Sequence, residues 1–207
     1  MSFFEASRSI ATITQSIDAS CNVVSDTCSA LMSSYALNIR SPSACSDDYN
    51  RQNPIVRQAY NGLLAYDVLY RASCEHAQPT ASNNQSSAYC FADAVTNTSA
   101  PSNSYIYYLP LGLPLPGGTQ PTCDSCLKTV MADFQAQAGN QSQPISLTYT
   151  QGAQLVNQKC GPGFINQSAP STAGGNSKSA SGAGPMAMAS EWVGTAALLI
   201  GAAHLFI

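Results

Sequence analysis

NPIVRQAYNGLLAYDVLYRASC, residues 53–74, carries a strong helix signal from its first two residues onward. Asn53 is a good N-cap, because its side-chain oxygen can accept a free N–H of the first turn. Pro54 suits the first helical position, where a missing N–H costs nothing and φ is already set. Val56, Ala59, Tyr60, Leu63, Tyr70 and Cys74 then fall on one helical face. The spacing predicts a single helix from Pro54 to about Ser73, with that face buried. Asp67 lies in the middle of the apolar face, and Arg71 follows four residues later. An i,i+4 ion pair accounts for it. The rival reading is a buried carboxylate with a raised pKa.

Outward from this helix the pattern stays helical. Residues 1–41 contain neither Gly nor Pro, and Ile10, Ile13, Ile17, Cys21, Val24, Cys28, Leu31 and Tyr35 step by threes and fours. This is one helix or two, since Asp18 to Ser20 and Ser25-Asp26 can each cap a restart. The stripe is expected to place Cys21 and Cys28 on a buried seam. Downstream, Thr122 is read as the cap of a helix to Ala138, with Leu127, Val130, Met131 and Phe134 inward and Gly139 as the stop. A last helix starts near Pro144 and closes at Cys160, before Gly161-Pro162. Between these pairs, residues 75–118 are irregular. The segment from Leu109 to Gly118 carries three prolines and reads as an extended apolar strap lying across the helices, the alternative being an exposed binding strip. The fold class expected is all-α.

Eight cysteines, at 21, 28, 45, 74, 90, 123, 126 and 160, lie within the first 160 residues. An even count in such a chain reads as a disulfide framework of four bridges, whose connectivity the sequence leaves open. Cys123-Asp124-Ser125-Cys126 has redox spacing at a helix N-terminus, which favours a thiolate. The flanks lack a βαβ pattern and Asp124 opposes a thiolate, so both are read as structural half-cystines. One CxxC is half a zinc site, and no metal is expected. Four sequons, at Asn84, Asn97, Asn140 and Asn166, fit a secreted glycoprotein.

The C-terminal region sets an address. Trp192 to Ile207 is almost wholly apolar, and it follows small and polar residues that include Ser181-Gly182-Ala183. A small-residue site, a polar spacer and a hydrophobic tail are the layout of a GPI-attachment signal, with Ser181 or Gly182 as the attachment residue. At about 1.5 Å per residue the tail reaches roughly 24 Å, short of a hydrocarbon core of roughly 30 Å. The organisation expected is therefore a cysteine-rich domain over 1–167, a Ser/Gly/Ala-rich stalk over 168–183 and the attachment signal over 184–207. Residues 1–20 hold no apolar export signal, so the start of the natural chain is expected upstream.

Charge and chemistry narrow the function. Only 9% of residues are charged and the net charge is −3, so no basic patch is available for nucleic acid. Neither GxSxG nor HExxH occurs, and upstream of the tail His76 is the lone histidine. Asp47-Asp48 precedes a helix, where carboxylates serve its dipole. No catalytic residue and no cofactor are nominated. A carboxylate pair for glycoside hydrolysis is set by the fold and not by sequence spacing.

Three blocks carry a family resemblance: Asp47-Asp48-Tyr49-Asn50 through Pro54 with Leu63-Leu64-Ala65-Tyr66 to Cys74; Leu109-Pro110-Leu111-Gly112 to Met131; and Tyr149 to Phe164. Over about Cys21 to Phe164 the chain resembles an uncharacterised fungal family of secreted, cysteine-rich, GPI-anchored surface proteins. The resemblance implies an extracellular, wall-associated protein whose partners are the membrane, through a GPI lipid, and cell-wall glycans or proteins. It supplies no activity and no catalytic residue. The function expected is a non-catalytic surface protein at the outer face of the plasma membrane or in the wall. The alternative is a secreted enzyme acting on wall polysaccharide.

Overall fold

A computed structural model describes residues 3–77 and 88–170. Nine α-helices are formed among them: α1 Phe3–Ala6, α2 Ile10–Cys21, α3 Ser25–Ile39, α4 Ser46–Asn50, α5 Pro54–Leu64, α6 Tyr66–Ser73, α7 Cys90–Thr96, α8 Ser125–Ala138 and α9 Tyr149–Cys160. Two 3-10 helices, Pro101–Leu111 and Pro144–Leu147, join the later ones. The described residues hold no strand, only a single antiparallel bridge between His76 and Tyr89. The domain is all-α, as the periodicity predicts.

Residues 53–74 form two helices where one is expected. Asn53 does cap α5, accepting the Ile55 N–H at 3.0 Å. The break falls at Ala65, which is wholly buried. It lets α5 pack along α3 while α6 turns to meet α8. The local warning is Gly62, a poor helix former one turn before the joint.

Two apolar clusters result. The larger is built on α8 and α9, with Val130, Met131, Phe134, Tyr149 and Val156 among its fully enclosed side chains. The smaller joins Ala6, Ile13 and Ile17 to Tyr89 and Ala92. The N-terminal stripe is thus only half buried. α2 ends at Cys21, α3 restarts at Ser25, and Val24, Leu31 and Tyr35 are 72%, 45% and 50% exposed. The reason is the break itself, because the turn at 22–24 takes α3 off the face that α2 buries.

The proline-rich segment departs from expectation at its start, where Leu109, Pro110 and Leu111 close the 3-10 helix Pro101–Leu111, while residues 113–116 have no regular secondary structure. Pro101 opens that helix, and Pro110, near its end, forfeits a single i→i+3 bond. The segment's apolar side chains do pack: Leu109, Pro110 and Leu115 are buried while Leu113 stays exposed. Leu109 lies so close to α9 that a Cβ on Gly152 would stand 2.9 Å from both of its methyl groups. α8 begins later than expected because Asp124, and not Thr122, is its cap, accepting the Leu127 N–H at 2.9 Å.

Disulfides tie these pieces together. Cys21–Cys74 joins α2 to the end of α6, Cys90–Cys126 joins α7 to α8, and Cys123–Cys160 holds the entry of α8 to the end of α9. The fourth expected bridge is not formed, since Cys28 and Cys45 are free thiols. The geometry explains why. Cys28 is in the first turn of α3, while the Cys45 N–H bonds the carbonyl of Ile39 at its far end. Eleven helical residues put about 16 Å between the two ends, far beyond disulfide reach.

Candidate functional site

A cleft of about 610 Å³ opens between α7, the 3-10 helix Pro101–Leu111 and the N-terminal half of α8. Its floor is apolar, formed by Ala94, Ile106, Leu127 and Val130, with Cys90 and Cys126 of the α7–α8 disulfide among its walls. Polar groups line it as well: Asp93, Thr96, Asn97, Asn103, Thr122 and Asp124. Among the described residues, no Lys, Arg or His lines it. Such a site suits a neutral, hydroxyl-bearing molecule and disfavours an anion.

Local hydrogen bonds hold these polar groups in place. Asn103 bonds Thr122 twice, through Nδ2 to the hydroxyl at 3.2 Å and through Oδ1 from the backbone N–H at 2.8 Å. Asn97 leaves α7 in extended geometry, and its Oδ1 accepts the N–H groups of Ser99 and Ala100, both at 3.0 Å. Asp124 is committed to capping α8. Tyr107, edge-on to Phe91 at 4.8 Å, reaches the same cleft. Burial pushes its phenol pKa up strongly, and the charges of Asp124, Glu75, Asp133 and Asp93 push it further. Its hydroxyl keeps its proton at any physiological pH.

A carboxyl pair lies outside the cleft lining. Asp133 of α8 faces Glu75, just beyond α6, and its pKa is pushed up to about 6. Desolvation is the largest cause, followed by the charge of Glu75 and a hydrogen bond to it, with Arg71 opposing. Sequence reading missed this pair, since Glu75 and Asp133 are remote in the chain and neither sits in a motif. The one hint is position, because Asp133 stands next to the buried Phe134 and two residues after the buried Met131.

Residues singled out from the sequence fall as follows. Asp67 and Arg71 form the expected ion pair at 3.2 Å, with the Ser29 hydroxyl also reaching Asp67 at 3.5 Å. Asp47 and Asp48 occupy the first turn of α4, and Asp48 pairs with Arg51 at 3.2 Å. His76 lies against the Tyr89 ring at 4.6 Å between centroids. Cys123 and Cys126 bond to different partners, so they are structural half-cystines and no redox dithiol. Asn97, Asn140 and Asn166 are exposed. Asn84, Ser181, Gly182, the tail over 184–207 and all but the start of the stalk lie outside the described residues. Among the described residues, no group of three or more His, Cys, Asp or Glu is placed to hold a metal ion. No helix among them is long and apolar enough to cross a membrane.

A family model described as Domain of unknown function (DUF7729) matches residues 1–169. No curated protein and no solved structure matches the chain.

Proposed function

The chain belongs to the DUF7729 family, a domain of unknown function, and from that premise we propose that it is a non-catalytic domain displayed outside the cell. The observation that carries this reading is the set of three disulfides, which span 53, 36 and 37 residues. Bridges of this kind form and persist in oxidising compartments. Exposed sequons at Asn97, Asn140 and Asn166 agree with passage through the secretory pathway. The apolar stretch over 192–207 and the small residues before it support lipid anchoring at Ser181 or Gly182, with residues 168–183 as the stalk. A fungal cell surface, with the wall as the neighbouring material, is the setting that the resemblance of the cysteine-bearing blocks supports.

One observation favours a different reading. The Glu75–Asp133 pair has a carboxyl poised near 6, as a general acid needs. A wall-directed glycoside hydrolase would use such a pair. Yet neither residue lines the cleft, and Arg71 lies beside them. A non-catalytic domain is therefore the stronger reading.

The test is display. Expressed behind a competent secretion signal in a eukaryotic cell, the chain should reach the surface. A phosphatidylinositol-specific phospholipase should then release it. Retention on the membrane, with residues 192–207 still found by mass spectrometry, would rule out the lipid anchor. Steady release of sugar from wall polysaccharide, abolished by Asp133→Asn, would establish the enzyme instead.

A further inference from the structure

Three sequons share one local geometry. The Oδ1 of Asn97 accepts the Ser99 N–H, that of Asn140 the Ser142 N–H and that of Asn166 the Ser168 N–H, each at 3.0 Å. Each carboxamide thus spends its oxygen on the fold, and none of the three Nδ2 atoms makes a hydrogen bond among the described residues. The nitrogen is the atom that a glycan would take. Only Asn97 lines the cleft, together with Thr98 and Ser99.

We infer that the cleft is the seat of the glycan attached at Asn97, and that the first sugar of that glycan covers the apolar floor. In the transfer, Nδ2 forms a bond to C1 of an N-acetylglucosamine carried on a lipid diphosphate. The C1–O bond to the diphosphate breaks, and Nδ2 gives up one proton. An N-acetylated sugar offers a face of C–H bonds edged by hydroxyls and an amide. The cleft offers the complement, with Ile106, Leu127 and Val130 below and Asp93, Asn103 and Thr122 around. Among the described residues, no cationic side chain lines it to draw a charged ligand. Tethering removes most of the entropic cost of holding so small a group. The glycan is thereby a structural part of the domain, and the cleft is closed to free ligands. This rests on the secretory reading above.

Wild type, Ser99→Ala, Ser99→Thr and Ser142→Ala chains, secreted from a glycosylating host, supply the test. Ser99→Ala removes the Asn97 sequon and leaves the backbone bonds of the turn in place; Ser142→Ala removes the Asn140 sequon away from the cleft. Mass spectrometry should find Asn97 glycosylated in the wild type. Ser99→Ala should lower Tm by about 3–6 °C, a shift that a single modest contribution makes in a domain of this size. Ser99→Thr, which keeps the sequon, should restore it. Ser142→Ala should move Tm by less than about 2 °C. Trimming the glycans to one sugar should leave the wild-type Tm intact, because only the first sugar is seated. A bare Asn97 beside a glycosylated Asn140 would overturn the seat while leaving the secretory reading standing. So would equal shifts for Ser99→Ala and Ser142→Ala, or a fall in Tm on trimming. All three asparagines bare in protein taken from its own cells would overturn both.

Discussion

Asp133 and Asp67 carry the same side chain and end up in opposite situations. Asp67 has Arg71 one turn away on its own helix, so the ion pair is local and the spacing shows it. With both partners partly exposed, it contributes only about 0.3–0.5 kcal/mol. Asp133 meets Glu75, which a different helix delivers, and nothing in the local sequence announces it. The pairing has a pH signature. The folded carboxyl is raised from 3.8 to about 6, so between those values the folded chain holds more protons than the unfolded one. Stability must then fall as pH rises through that window and level off above it. Discounted for solvent screening, the loss is about 1 kcal/mol, or about 2–4 °C in Tm. Asp133→Asn should flatten the Tm profile between pH 4 and 6.5. A mutant profile parallel to the wild type would place the proton elsewhere.

The long helices were legible in the sequence, whereas α4, α7 and the 3-10 helix Pro101–Leu111 were not, and helix ends were only partly so. The Asn53-Pro54 start reads correctly because cap and proline act within one turn. The joint at Ala65 does not, since it exists to let α5 and α6 face different neighbours, which no local propensity encodes. At α8 the competition was between two capping residues, Thr122 and Asp124. The carboxylate wins because it meets the dipole with a full charge, while the Thr122 hydroxyl is taken by Asn103. Asp124→Ala should cost about 1 kcal/mol, lowering Tm by about 2–4 °C. Asp124→Asn, which keeps the accepting oxygen, should lose less than half of that. The comparison is a pair of thermal melts, and equal losses would mean that charge alone, and not the cap bond, supports this end. The cleft was invisible for the same reason as the joint: its two sides come from residues 90–107 and 121–130, brought together by a disulfide whose pairing the sequence left open.

Across the whole molecule the three bridges divide the work unequally. Cys90–Cys126 and Cys123–Cys160 both anchor the N-terminal end of α8 within the main core, where packing already holds the helices. Cys21–Cys74 instead fastens α2, whose own cluster is small, to the end of α6. An even cysteine count suggested a fourth bridge, but counting ignores distance. α3 holds Cys28 beside Tyr66 and leaves Cys45 at the opposite end. Denatured without reductant, the chain should therefore bind two equivalents of a thiol reagent, mapped by mass spectrometry to Cys28 and Cys45. A peptide pair linking those two residues, or no free thiol at all, would refute the assignment. Replacing Cys21 and Cys74 together by Ser should cost about 2–5 kcal/mol, the range for a native bridge in a small domain. Because the smaller cluster depends on that bridge, limited proteolysis should then cut between α2 and α3 well before the α8–α9 core yields. Simultaneous loss of both regions would mean that the two clusters unfold as one unit, and that the bridge stabilises the whole domain and not its N-terminal part.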